Sequence, residues 1–239
     1  MRRQKGAASR LARATTVFDR QAATYRGPRE KLIPQLDRFY GMVPEAVGLA
    51  GKGSGGAGSG LRILDLGAGT GMLSAVVQAE FPDADFTLFD FSPRMLEQAH
   101  DLLGDRAMTV TGDMYEGIPA GPWDAVISAL AIHHMTDDGK RTVYEATYRE
   151  LEPGGIFVNA EHVLGETPEL QDHYADWHRQ QSFEKGLTDA EWVDTVERMS
   201  HDHLSPLSTQ LGWLREIGFT DVDCLFKDHG FAVVFGRKP

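Results

Sequence analysis

The sequence predicts an α/β domain built on a mostly parallel sheet wound with helices on both faces. Three observations lead there. Residues 61–71, LRILDLGAGTG, pass from a short apolar run (Ile63, Leu64, Leu66) with one carboxylate, Asp65, straight into Gly67, Gly69 and Gly71, the pattern of a buried strand, a tight turn and a helix start. Strand-like apolar runs then alternate with helical stretches from 61 to 160, which means parallel strands joined by crossover helices. The polar residues Gly67, Asp90, Asp113, Ser128 and Glu161 all follow the carboxyl ends of those strands, where ligands bind open sheets of this kind.

The elements follow in order. Residues 1–15 carry Arg2, Arg3, Lys5, Arg10 and Arg13 and read as a flexible basic tail. One domain is expected over 16–239. Thr16–Tyr25 suggests a short helix, and Arg29–Gly41 spaces Leu32, Ile33, Leu36 and Phe39 helically despite Pro34. Residues 51–60, GKGSGGAGSG, hold six of the 26 glycines and read as a flexible surface connection. A helix from Gly71 to Glu80 follows the glycine turn and presents its free N–H groups to a ligand. The second strand is Asp85–Asp90. Ser92 and Pro93 then cap a helix that runs to Leu103. The third and fourth strands are Ala107–Thr111 and Trp123–Ala129, the latter followed by Leu130, Ala131, Ile132, His133 and His134. A helix from Thr136 has Asp137 and Asp138 in its first turn, where the dipole favours them, and stops at 152–155, EPGG. The fifth strand is Ile156–Ala160. Beyond the 162–205 segment come a helix, Leu207–Ile217, and two strands, Asp221–Phe226 and Phe231–Gly236.

The glycine turn has the spacing G-x-G-x-G and Met72 where a dinucleotide fingerprint wants a small residue. D-L-G-A-G-T-G resembles the first motif of class I S-adenosylmethionine (SAM)-dependent methyltransferases, and the later segments resemble that family's other motifs in order. REKLIPQLDRFYG and GFTDVDCLFKDHGFAVVFGRK are similar to small bacterial and archaeal methyltransferase-domain proteins. The resemblance implies a seven-stranded sheet with an antiparallel last strand. It also implies SAM as cofactor and S-adenosyl-L-homocysteine as product. By this likeness Asp65, Gly67, Ala68, Gly69 and Gly71 form the cofactor loop. Asp90, with Phe91 and Met95 beside it, takes the ribose hydroxyls. Gly112, Asp113 and Met114 meet the adenine, Ser128, Ala129 and His133 flank the cofactor at the fourth strand, and Tyr25 closes the pocket from the N-terminal segment.

The 162–205 segment is longer than a crossover needs and holds five of the nine histidines with several aromatics. It reads as a helical lid, with Tyr25, His162, His173, Tyr174, Trp177, His178 and Arg198 as candidate substrate contacts. A sulfonium methyl is already activated, so alignment is the main task, and a base is needed only for a protonated acceptor. His134, His133, Glu161 and His162 are the candidates, His134 first. A metal held by His133, His134, Glu161 and His162 is set aside, because adjacent residues on one loop rarely both ligate.

A net charge of -11 argues against nucleic acid as partner. No apolar run approaches a membrane span, and the single cysteine, Cys224, fits a reducing cytoplasm. The expectation is methyl transfer to a small-molecule acceptor by a monomer or homodimer. Another SAM chemistry, as in carboxy-SAM synthases, and a SAM-binding protein without chemistry stay open.

Overall fold

The structure, a computed structural model, describes residues 30–50 and 57–239. The basic tail, the expected Thr16–Tyr25 helix with Tyr25, and residues 51–56 lie outside the described residues. A single seven-stranded sheet runs in the order β3-β2-β1-β4-β5-β7-β6. Its strands are β1 (Arg62–Leu66), β2 (Asp85–Asp90), β3 (Ala107–Thr111), β4 (Trp123–Ala129), β5 (Leu151–His162), β6 (Thr220–Asp228) and β7 (Phe231–Arg237). The first five are parallel neighbours, while β7 lies antiparallel between β5 and β6. The last strand is therefore inserted into the sheet, with β6 on the edge. A tight hairpin can only place β7 antiparallel to β6, and its burial is far deeper than that of its partner.

Period-two alternation sends successive strand residues to opposite faces. Ile63, Leu88, Ile127 and Val158 pack with α1 (Leu36–Val47), α2 (Met72–Glu80) and α3 (Pro93–Leu103) on one face. Leu64, Leu66, Val126 and Phe157 pack with α4 (Asp137–Glu150) and α7 (Leu207–Ile217) on the other. Burying each such side chain stabilises the fold by about 1.5–3 kcal/mol. Asp65 falls on the α2 face by the same alternation, which puts its carboxyl within reach of Ser74.

Two boundaries differ from the sequence reading. The 29–41 helix is broken: residues 33–35 form a bend, Gln35 takes φ 52°, and α1 then runs on through Pro44 to Val47. Pro34 disfavours helical geometry in the residue before it, which is what the helical spacing of Leu32, Ile33 and Leu36 hid. Strand β5 starts at Leu151, paired with Trp123, and the register resumes at Ala125 with Ile156. The intervening EPGG bulges out of the strand instead of ending the helix. The 162–205 insertion comprises α5 (Pro168–Glu184) and α6 (Asp189–Met199). Thr167 and Thr188 cap them, the latter in a full capping box with Glu191. Of the 51–60 connection, 57–60 is a defined turn, with Leu61 N donating to Gly58 O and Asp83 N to Ala57 O.

Candidate functional site

The glycine turn needs its glycines for backbone reasons first. Gly67, Gly69 and Gly71 have φ of 68°, 54° and 77°, the left-handed region that a Cβ disfavours. A Cβ on Gly67 would also stand 2.3 Å from the Ala131 Cβ, so the loop after β4 packs directly on the turn. Around Gly69 there is open space. The Asp90 carboxylate braces the turn: one oxygen accepts from Gly69 N at 2.9 Å and the other from Ser92 N at 2.8 Å.

Asp65 is 1% exposed. Its Oδ2 accepts from Ser74 Oγ at 2.6 Å, and its Oδ1 has no hydrogen-bond partner. Burial, with the like charge of Asp90 adding to it and the Ser74 bond opposing, raises its pKa to about 7. An unpartnered buried carboxyl oxygen beside an open glycine turn fits the ammonium of an amino-acid-bearing cofactor such as SAM. Asp113, at the end of β3, accepts from Tyr115 N at 2.9 Å and is part-exposed. Gly112 packs against the Phe89 ring, and Phe91 and Met114 are half-buried beside the same strand ends. Ser128 donates to Leu66 O at 2.7 Å, so its hydroxyl ties β4 to β1. Ala129 and Met95 are buried in the core.

After β4 the chain turns sharply. Leu130 takes φ 50° and its N donates to Ala160 O at 2.9 Å, strain of a kind that gathers at sites. The 3-10 turn Ile132–His134 follows and delivers two imidazoles with ring centroids 4.1 Å apart. His133 is buried, and its Nδ1 lies 2.6 Å from Glu161 Oε1. Glu161 also accepts from His162 N at 2.9 Å and from Asn159 Nδ2 at 3.2 Å. Behind it, Tyr144 donates to Gln210 at 2.6 Å. Burial would raise the Glu161 pKa, but His133 and these donors bring it below the usual carboxylate value. His162 is pushed down to about 3 by burial and by its neighbours His133 and His178, so it serves as a neutral imidazole.

The sequence reading missed Asp202. Its Oδ1 approaches His134 Nδ1 to 2.8 Å and His133 Nε2 to 3.6 Å, and the side chain is 7% exposed. Despite that proximity Asp202 Oδ1 has no hydrogen-bond partner, and burial holds His134 below the usual imidazole pKa, which favours its neutral form. Two ties bring Asp202 there. His203 N donates to His133 O at 2.8 Å. Lys140, buried on α4, donates to His203 O and Ser205 Oγ, with Asp137 Oδ1 at 3.4 Å. In sequence Asp202 was one acid among many at the end of the insertion, and only its flanking histidines hinted at more.

The candidate lid residues divide into two groups. His162 and His178 join His133 in a run of rings, with centroids 6.3 and 5.9 Å apart, and His178 Nε2 lies 2.7 Å from Leu32 O. Trp177 stacks on His229, the turn residue between β6 and β7, at 3.9 Å, with His173 and Tyr174 against the same ring. The Tyr174 hydroxyl accepts from Lys227 at 3.0 Å. Arg198 donates to Thr195 on its own helix.

Residues 63–155 match a family model described as a methyltransferase domain. An uncharacterised methyltransferase of Bacillus velezensis is 29% identical over 85% of this chain and 88% of its own. The carboxy-S-adenosyl-L-methionine synthase of Chromohalobacter salexigens is 28% identical over 75% of this chain and 69% of its own. Among solved structures, the apo S-adenosylmethionine-dependent methyltransferase SibL superposes with a TM-score of 0.56 at 22% identity, covering 75% of this chain. The chain spans half the length of that structure.

Proposed function

We propose that the chain is a class I SAM-dependent methyltransferase, as its methyltransferase-domain match and its similarity to a methyltransferase over most of both chains support, and that it transfers the SAM methyl group to a small-molecule acceptor. The observation that carries the reading is the buried Glu161–His133 pair, set on the loop that packs against the glycine turn. SAM supplies an activated methyl carbon, which passes to the acceptor's lone pair while the C–S electron pair stays on sulfur. Asp65 holds the cofactor's ammonium, Asp90 its ribose, and Asp113 with Gly112 and Met114 its adenine. Glu161 fixes the proton of His133 on Nδ1, so Nε2 faces the cluster with His134 and Asp202 and orients the acceptor or takes its proton. The insertion, closed over this end of the sheet, excludes water from the reacting atoms. Such alignment supplies most of what a methyl transfer needs.

The similarity to a carboxy-SAM synthase favours one second reading, in which the cofactor itself is modified. That chemistry wants a cation for the added carboxylate, and Arg198, the lid's candidate, is engaged with Thr195. One experiment separates the two. Mass spectrometry of the purified protein identifies retained ligand, and labelled-methyl SAM is then incubated with a metabolite extract. Label on a small acceptor, with S-adenosylhomocysteine formed, is the expected outcome. A cofactor heavier by a carboxyl group would establish the second reading, and neither product would leave a SAM-binding protein without chemistry.

A further inference from the structure

We propose that His133, His134 and Asp202 form a site for one divalent transition-metal ion, with coordination positions left open beside the fourth strand. Each offers one donor atom, and the three atoms lie within 4.8 Å of one another. Metal–nitrogen and metal–oxygen bonds of about 2.0–2.2 Å set neighbouring donors roughly 3–4 Å apart in tetrahedral or octahedral sites. The 3.6 Å from His133 Nε2 to Asp202 Oδ1 is already in that range, and the 2.8 Å from His134 Nδ1 needs only a small opening.

Two further observations point to a cation. Asp202 Oδ1 is buried without a hydrogen-bond partner although imidazole nitrogens surround it, and a shared metal ion satisfies such an oxygen. Glu161, 2.6 Å from His133 Nδ1, holds the proton there and leaves Nε2 as the donor. This carboxylate–histidine arrangement is the one that orients metal-binding imidazoles. The halves of the site come from distant parts of the chain, yet the His203 N to His133 O bond and the Lys140 anchor assemble them beforehand. Adjacent histidines can both ligate because the 3-10 turn sets their rings at 59°, close together. The sequence reading set a metal aside on that ground, without Asp202 in view. Two imidazoles and one carboxylate suit zinc or cobalt better than magnesium or calcium. With the ion bound, His133 Nε2 holds metal in place of an acceptor proton, so the ion and not that nitrogen holds the acceptor oxygen or nitrogen; that role rests on the methyl-transfer reading, whereas the binding does not.

The test uses the full chain, stripped with chelator and titrated with Co²⁺ while the visible d–d absorption is followed, with Zn²⁺ as competitor. One equivalent of Co²⁺ should bind, and Zn²⁺ should displace it. Asp202→Asn and His134→Ala should each abolish the spectrum, while His100→Ala, on the exposed face of α3, should keep it. Glu161→Gln should weaken binding by about 10- to 100-fold. His134 is exposed enough that its alanine variant tests the site even if Asp202→Asn does not fold. No stoichiometric spectrum in the unmodified chain, or a spectrum unchanged in His134→Ala, overturns the site. SAM binding and label transfer that persist in chelator without Co²⁺ binding would sink the metal and keep the methyltransferase reading. A bound metal with no methylated product would do the reverse.

Discussion

Asp65 is the residue whose environment makes the clearest demand. Its folded pKa of about 7 stands above its ordinary value of 3.8, so the folded chain holds a proton that the unfolded chain releases. That contribution to stability is fully present below about pH 4 and is lost as pH rises through about 7. A cofactor ammonium against Oδ1 favours the ionised form, so SAM affinity should rise between about pH 5.5 and about pH 7.5 with proton release on binding. Calorimetry at several pH values in buffers of different ionisation enthalpy checks this. Asp65→Asn should bind more weakly and without the slope, and a flat profile for the unmodified chain would remove Asp65 from the ammonium site. Asp90→Ala should weaken SAM by about 2–3 kcal/mol, because a buried acceptor shared by two hydroxyls leaves both unpaired. The structure adds a reason, since Asp90 also holds Gly69 N and Ser92 N; an unchanged dissociation constant would move the ribose elsewhere. At this scale Asp65, the glycines and Asp90 were legible because their spacing along one strand–turn–helix fixes their placement. Asp202 was not, since a contact between positions 133 and 202 leaves no local trace.

Among the elements, strands β1 to β4 and the caps at Ser92 and Thr136 were readable from apolar runs and capping residues. The break at Pro34 was hidden by the helical spacing of the apolar residues around it, and the bulge at 152–155 by the non-local pairing of Leu151 with Trp123, which starts the strand before the EPGG turn. One of the ties that hold the connection from the insertion back to α7 is a buried amine on α4, Lys140. Lys140→Met would leave His203 O and Ser205 Oγ without their donor, at a cost of about 1–3 kcal/mol. Denaturant midpoints should fall accordingly, and turnover should fall with them as Asp202 loses its seat against the histidines; an unchanged midpoint would show that the return segment is held by other contacts. Residues 51–56 should be dispensable if the 57–60 turn is kept, since closure cost changes by only about 0.6 kcal/mol per doubling of length. A melting temperature or SAM affinity clearly below that of the full chain would show that the segment is needed.

For the molecule as a whole, the sheet and the insertion meet along one line at the carboxyl ends of β4 and β5. Among the described residues no helix is long and apolar enough to cross a membrane. The groups proposed to hold the cofactor come from β1 to β4, neighbouring strands of the parallel part of the sheet. Apart from Asp202 at the end of β4, the insertion grips the β6–β7 turn through Trp177 on His229 and the N-terminal segment through His178 on Leu32 O. We predict that the insertion, clamped at those points, governs what reaches the histidines and leaves the glycine turn alone. Trp177→Ala should therefore lower turnover or change acceptor preference with SAM affinity altered less than about threefold, under ~0.7 kcal/mol. Trp177 serves better than His178, whose burial and bond to Leu32 would mix a folding defect into the result. Equilibrium SAM binding measured beside kcat for the labelled acceptor distinguishes the outcomes. Weaker SAM binding with turnover at saturation intact would make the insertion part of the cofactor site, and the acceptor would then have to enter past the N-terminal segment.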